Sequence, residues 1–157
     1  MRTGTGFDVH AFAAERPLVI GGVKIRDRDG LAGHSDADVL CHAIGDALLG
    51  AAALGDLGST FPADDRWRDA SGAVLLDEIA QRLRAAGWRV VNIDSTVIAE
   101  APRLSGHVAA MVDNISAALG IDADSVSVKA TTTDGLGSTG RGEGIAAMAS
   151  VLIEPLV

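Results

Sequence analysis

Apolar residues recur at helical spacing in three stretches of the chain and at alternate positions in several others. The spacing predicts a first helix from about Asp36 to Ala53. Ser35 would be its N-cap, and Asp36 and Asp38 would lie in the first turn, where negative charge suits the helix dipole. A second helix is predicted over Ala70–Ala86, with Leu75, Leu76, Ile79 and Leu83 on one face and Gly87 as its stop. A third starts near Pro102, runs through Leu104, Val108, Met111, Val112, Ile115 and Leu119, and ends at Gly120. Strands are predicted at Arg2–Val9, Pro17–Ile25, Trp88–Ala99, Ser125–Thr131 and Ile145–Ile153. Within Trp88–Ala99, Val91, Ile93 and Val97 share one face while Asn92, Asp94 and Thr96 share the other. Ile145–Ile153 also fits a short helix by periodicity, but its β-branched end and Gly-rich approach favour a strand. This order predicts an α/β (α+β) sandwich, a mixed β-sheet with helices on one face.

No linker, repeat or low-complexity tract divides the 157 residues, so the expectation is one domain, 1–157. Hydrophobic residues at 48% and charged residues at 22% are ordinary for a folded globule. Aromatic residues are only 3% and Tyr is absent, which argues against base-stacking platforms. A formal charge of −8 makes a poor general binder of nucleic acid or anionic membrane. A phosphate ligand would then need local cations, metals or helix N-termini. Cys41 is the only cysteine, which excludes an internal disulfide and a cysteine-cluster zinc site. The start MRTGTGFDVH has no apolar signal-like run, and His42, Asp46 and Asp56 interrupt the most apolar stretch, Val39–Leu57. The expectation is a cytoplasmic protein of a reducing compartment, without a membrane partner.

Four features bear chemistry. Asp8 and His10 lie two apart on a strand and so share a face. Asp38, His42 and Asp46 form an i, i+4, i+8 polar stripe on an otherwise apolar helix. Asp8, His10 and His42 together would give three N/O ligands and an open fourth position, the catalytic type of zinc site, with Asp38 or Asp46 orienting an imidazole from behind. The same spacings also fit a strand end and a hydrogen-bonded helix histidine. His34-Ser35-Asp36 stands at the predicted start of the first helix, a place for an anion or for plain capping. Lys129-Ala130-Thr131-Thr132-Thr133-Asp134 leads into the glycine-rich run Gly135–Gly144, which suits phosphate oxygens and a divalent cation or, more plainly, a turn between strands. Gly135, Gly137 and Gly140 mimic a dinucleotide fingerprint, but too little chain follows for the helix and acid it requires. Asp56 and Asp65 fall in turns after the first helix. Ala99 and Pro102 join the Trp88–Ala99 strand to the third helix. Cys41 reads as a small packed residue.

Taken together, several motifs resemble the 2-C-methyl-D-erythritol 2,4-cyclodiphosphate synthase family. They are Gly6-Phe7-Asp8-Val9-His10, His34-Ser35-Asp36 with Asp38, His42-Ala43 with Asp46-Ala47-Leu48-Leu49-Gly50-Ala51, Gly55-Asp56 with Gly58 and Phe61-Pro62, Lys129 to Thr133, and Gly140-Arg141-Gly142-Glu143-Gly144. They span nearly the whole chain in one order. The resemblance implies a homotrimer with active sites between subunits. It also implies a cytidyl diphosphate substrate whose own 2-phosphate attacks the β-phosphorus and releases CMP, in non-mevalonate isoprenoid synthesis. It implies Zn²⁺ on Asp8, His10 and His42, a second divalent ion (Mg²⁺ or Mn²⁺) on Asp134, and transition-state stabilisation by His34 and Thr132. Substrate contacts carry over to Ser35, Asp56, Gly58, Asp65, Ala99, Pro102, Thr131, Thr133 and Arg141. Two positions depart from the family pattern. Asp134 stands where Glu is common, one methylene shorter, and Ser138 where Phe is frequent. Two other readings use the same ligands: a metal-dependent phosphohydrolase that activates water, and a trimeric binding module with a structural metal.

Overall fold

The computed structural model describes residues 1–156. Its elements in chain order begin with β1 (Arg2–Ala13), β2 (Leu18–Ile20), β3 (Val23–Arg26), β4 (Gly30–Leu31), α1 (Val39–Ala52), α2 (Leu57–Thr60) and α3 (Gly72–Ala85). There follow β5 (Trp88–Ile98), α4 (Val108–Leu119), a 3-10 turn at Ala123–Ser125, β6 (Val126–Thr131), α5 (Gly137–Gly140) and β7 (Gly144–Pro155). Five strands form one mixed sheet in the order β4-β1-β7-β5-β6, antiparallel except for the parallel β5–β6 pair that α4 connects. The expected mixed sheet is present, and the ambiguous last segment is a strand. The expected strand Pro17–Ile25 is a hairpin instead, because Gly21 and Gly22 take positive φ angles of 59° and 70° and turn the chain between β2 and β3.

Alternation explains the layers. On β7, Ile145, Ala147, Ala149, Val151 and Ile153 point into the core under the helices; on β5, Ile93 and Val97 do the same. The opposite sheet face carries exposed Phe7, Val9 and Met148 and is uncovered in the single chain. Helix α1 lies between the sheet and α3 and is buried on nearly every side. It reaches β1 closely because Gly4 and Gly6 lack side chains. A Cβ on either would sit 2.0 Å from a helix carbonyl oxygen, of Ala47 or Ala43. Gly4, Gly6, Asp8 and His10 share one face of β1, so this contact seats α1 beside the two polar side chains. Among the described residues no helix is long and apolar enough to cross a membrane.

Two helices start later than the pattern suggests. Helix α1 begins at Val39, and its N-cap is Asp38, not Ser35. Ala37 has φ of 57°, which breaks helical continuity, and the buried Asp38 carboxylate accepts from Cys41 N as well as from Gly21 N and Gly22 N. Helix α4 begins at Val108, because a turn precedes it in which His107 N donates to the carbonyl of buried Leu104. Helix α3 starts at Gly72, capped by Ser71, close to expectation.

Candidate functional site

Three donor atoms meet where β1 ends beneath the start of α1. Asp8 Oδ2 is 2.8 Å from His10 Nε2 and 3.1 Å from His42 Nδ1, and the two ring nitrogens are 3.3 Å apart. All three lie within 4.8 Å of one another. Tetrahedral ligands at about 2.0–2.1 Å from zinc stand roughly 3.3 Å apart, so the set fits such an ion after a small expansion. The outer ring nitrogens are also engaged. His10 Nδ1 donates to Ala32 O at 2.5 Å, and His42 Nε2 meets Ser35 Oγ at 3.1 Å. The carbonyl partner makes His10 Nδ1 the donor, so a neutral His10 ring turns an Nε2 lone pair inward, which is what a metal requires; Ser35 Oγ, which can donate or accept, holds the His42 ring in place.

The Asp8–His42–Ser35 row also has the connectivity of a nucleophile triad. His10 argues against that use. A relay needs one imidazole on the carboxylate, whereas here two converge on a single oxygen. The hydrogen bond to Asp8 raises the His10 pKa above its ordinary value. Burial pushes Asp8 upward, but hydrogen bonds and charge from both histidines outweigh it and hold its carboxyl well below the usual carboxylate range.

The three ligands share a cavity of about 250 Å³ with His34 and Ser35. Phe61 and Trp67 wall it, packed edge to face with ring centroids 4.8 Å apart. His34 Nε2 donates to Asp64 O at 2.6 Å. Of the two readings of His34-Ser35-Asp36, neither an anion site on the helix end nor a cap by Ser35 is formed, because Asp38 occupies the amino end of α1. Nor does Asp38 or Asp46 orient an imidazole. Asp38 holds the β2–β3 turn, and Asp46 accepts from Leu57 N at 2.7 Å. Cys41 is buried and its thiol is pushed well above the ordinary value by that burial and by Asp38, so it is no nucleophile.

A second cavity, of about 410 Å³, gathers Ala99, Pro102, Thr131 and Thr132 with Glu100 and Arg103. It opens where β5 and β6 end. Register places Val9, Ala146, Ile98 and Thr131 in one row across the sheet. Both cavities therefore lie at the same end, and three strand spacings put β6 about 14 Å from β1. The other expected site residues line neither cavity. Asp56 caps α2 through Ser59 N, Asp65 pairs with Arg68, and Gly58 sits within α2. Asp134 accepts from Thr132 Oγ1 at 3.2 Å, and Arg141 pairs with Glu143 at 2.6 Å.

Glu100, between Ala99 and Pro102, is a residue that no motif marks in the sequence. Its Oε1 accepts from Thr133 N (2.9 Å), Thr133 Oγ1 (3.2 Å) and Gly135 N (3.2 Å), which ties the threonine turn to the end of β5. These backbone donors hold its carboxyl below the ordinary value. Gly6 is legible in the sequence only as the start of a motif and Gly4 not at all; their sharing a face with Asp8 and His10 is the available signal.

The sequence matches the model of the YgbB family over residues 1–154. The 2-C-methyl-D-erythritol 2,4-cyclodiphosphate synthase of Syntrophomonas wolfei is 57% identical over 155 residues, covering 98% of this chain and 99% of that one. The synthase of Moorella thermoacetica is 56% identical over 154 residues, covering 98% and 94%. Among solved structures, the bifunctional IspDF of Campylobacter jejuni aligns with a TM-score of 0.95 at 44% identity over 99% of this chain, which spans 42% of that longer chain. The CDP complex of IspF from Plasmodium falciparum aligns with a TM-score of 0.86 at 32% identity, covering 99% and 97%. With the family model matched from Met1 through residue 154 and relatives above half identity spanned almost end to end, the chain belongs to the YgbB family.

Proposed function

We propose that this chain, acting as a single domain, cyclises 4-diphosphocytidyl-2-C-methyl-D-erythritol 2-phosphate to 2-C-methyl-D-erythritol 2,4-cyclodiphosphate and releases CMP. It is a phosphorus–oxygen lyase of isoprenoid precursor synthesis, and a cytoplasmic location belongs to the same reading. The observation that carries it is the convergence of Asp8, His10 and His42 in one cavity with His34 and Ser35, in a chain 57% identical to such a synthase.

The substrate's 2-phosphate is ionised near neutral pH and is its own nucleophile. One of its oxygens bonds to the β-phosphorus and closes the ring. The bond from that phosphorus to the bridging oxygen breaks, and its electron pair leaves with CMP. No side-chain base is needed, so the residues position groups and neutralise charge. Asp8, His10 and His42 would hold Zn²⁺, which when bound polarises the β-phosphate. Asp134 would hold Mg²⁺ or Mn²⁺, ions that one carboxylate plus substrate phosphates can retain. His34 and Thr132 would donate to the charged oxygens of the transition state, with Arg141 adding a cation. Ser35, Asp56, Gly58, Asp65, Ala99, Pro102, Thr131 and Thr133 complete the substrate contacts.

The active form in this reading is a homotrimer with its sites between subunits. Two features support it. The sheet face bearing Phe7, Val9 and Met148 is exposed by 59%, 50% and 52% of each residue's surface, an apolar patch that another sheet would cover. The strand that carries Asp8 and His10 and the strand that leads to Thr131 and Thr132 also stand three spacings, about 14 Å, apart in one chain. A neighbouring copy would bring one against the other.

Phosphorus NMR with the cytidyl substrate, Zn²⁺ and Mg²⁺ tests the reading. The expected result is a cyclic diphosphate with equimolar CMP. A linear phosphate product would replace it with metal-dependent hydrolysis, and absence of reaction with metal bound would overturn it.

A further inference from the structure

We propose that Arg16 is a positioning residue that holds the His34–Ser35 loop against the metal cavity from its rear; the inference rests on the functional reading above. The segment Ala32–Ala37 has no regular structure, yet each of its first four carbonyls has a donor. Ala32 O accepts from His10 Nδ1 at 2.5 Å, and His34 O accepts from Asp69 N at 3.0 Å. The other two, Gly33 O and Ser35 O, both accept from Arg16, the first from Nη1 at 2.5 Å and the second from Nη2. One planar fork thus spans the two carbonyls flanking His34. A lysine, with a single ammonium, matches that span poorly.

The Arg16 side chain bonds the loop and not the ligand side chains. It does not line the metal cavity but lines a separate hollow with Pro17, Asp36 and Asp69 on the other side of the loop. Its own backbone is fixed, since Gly30 N donates to Arg16 O at 2.8 Å. The loop it pins sends two side chains into the cavity. His34 is steadied on Asp64 O, and Ser35 Oγ meets His42 Nε2 at 3.1 Å. Gly33 leaves the loop little slack, because a Cβ there would lie 2.8 Å from Ala37 Cβ and 3.3 Å from the His10 ring. Arg16 therefore fixes the position of His34 directly and supports the His42 ring through Ser35. The metal ligands themselves come from β1 and α1, to which the Arg16 side chain makes no hydrogen bond, though its charge is felt at His10.

The test compares zinc-loaded wild type, Arg16→Ala and Arg16→Lys. Arg16→Ala is expected to keep zinc affinity within about threefold and to lose about tenfold or more in kcat, with KM moving less than about threefold. Arg16→Lys is expected between the two. Millimolar guanidinium, which can enter the vacated hollow, is expected to restore turnover to Arg16→Ala and not to raise wild type. Amide exchange provides a reading that does not depend on turnover: the Asp69 amide, which donates to His34 O, is expected to exchange at least about tenfold faster in Arg16→Ala while the α1 amides stay protected. Inactive wild type would refute the functional reading alone. Unchanged exchange and kcat in Arg16→Ala would overturn the clamp. So would zinc loss in proportion to activity, or exchange rising equally along α1, either of which marks a general structural role. If Arg16→Ala does not fold, the Asp69 exchange in Arg16→Lys decides in the same way.

Discussion

The metal cavity and the Thr131–Gly144 connection stand at one end of the same sheet and are built in opposite ways. The first is set by the core. Its ligands sit on β1 and α1, Gly4 and Gly6 press those elements together, and each imidazole has a partner on its outer nitrogen. The second is exposed. Its turns are closed by bonds within the segment, such as Thr133 O to Leu136 N and Ser138 O to Glu143 N, and Glu100 ties it back to β5. The difference separates two tasks. A metal needs donors already in place, because a loose set binds slowly and unselectively. An exposed loop tied at one point keeps the freedom to adjust, which the proposed phosphate contacts would use.

That contrast can be broken at its strongest point. In Gly6→Ala a Cβ would stand 2.0 Å from the Ala43 carbonyl oxygen, so α1 must move. Overpacking of this kind is expected to lower stability by about 3 kcal/mol, read as a shift in urea midpoint at unchanged slope, and to weaken zinc binding with it. His42→Ala separates metal from fold. Loss of a partner one bond further out already lowers metal affinity about 10–100-fold, so loss of the ligand itself is expected to exceed that and to abolish nearly all turnover while circular dichroism is retained. On the other side, Thr132→Val is expected to lower kcat by about 10–100-fold with little change in KM or melting temperature. A pure KM effect would assign Thr132 to ground-state binding. The smallest effect is a titration. Glu100 has a depressed pKa in the folded protein, so its anchoring is fully present above the ordinary 4.5 and is lost as pH falls through the lower folded value. The amide shifts of Thr133 and Gly135 should hold steady from neutral pH to about 5 and move only below the ordinary glutamate range. Movement at higher pH would show that the tie is not the carboxylate.

The metal half was the more readable in sequence. Period two placed Asp8 beside His10, and the apolar run around His42 predicted a buried helix that had to face something polar. What the pattern missed depends on partners far along the chain. Asp38 caps α1, but it also bonds Gly21 and Gly22, a tertiary demand that fixes the helix start three residues late. Asp46, equally suited by spacing to orient an imidazole, is drawn to Leu57 N instead, and that orienting role falls to Ala32 O and Ser35 Oγ. Glu100 meets Thr133 and Gly135 across more than thirty residues, so no local periodicity marks it. The strand reading of Ile145–Ile153 rests on its β-branched end and Gly-rich approach, and it succeeds: Ile145, Ala147, Ala149, Val151 and Ile153 take alternate positions of one strand and are all buried.

The pairing of β1 with β7 has a consequence for synthesis. Arg2 to Ala11 pair with Ile153 to Gly144, so the first strand made waits for the last. On a ribosome adding about 5–20 residues per second, Asp8 and His10 are carried on an unpaired strand for roughly ten seconds or more. During that time the two side chains lack the frame that sets them against His42. The three-donor set is thus complete only after the last strand closes the sheet. The same pairing sets Arg2 beside Ile153 at the end of the sheet remote from both cavities, so a passenger domain joined at either terminus would leave the chemistry unobstructed.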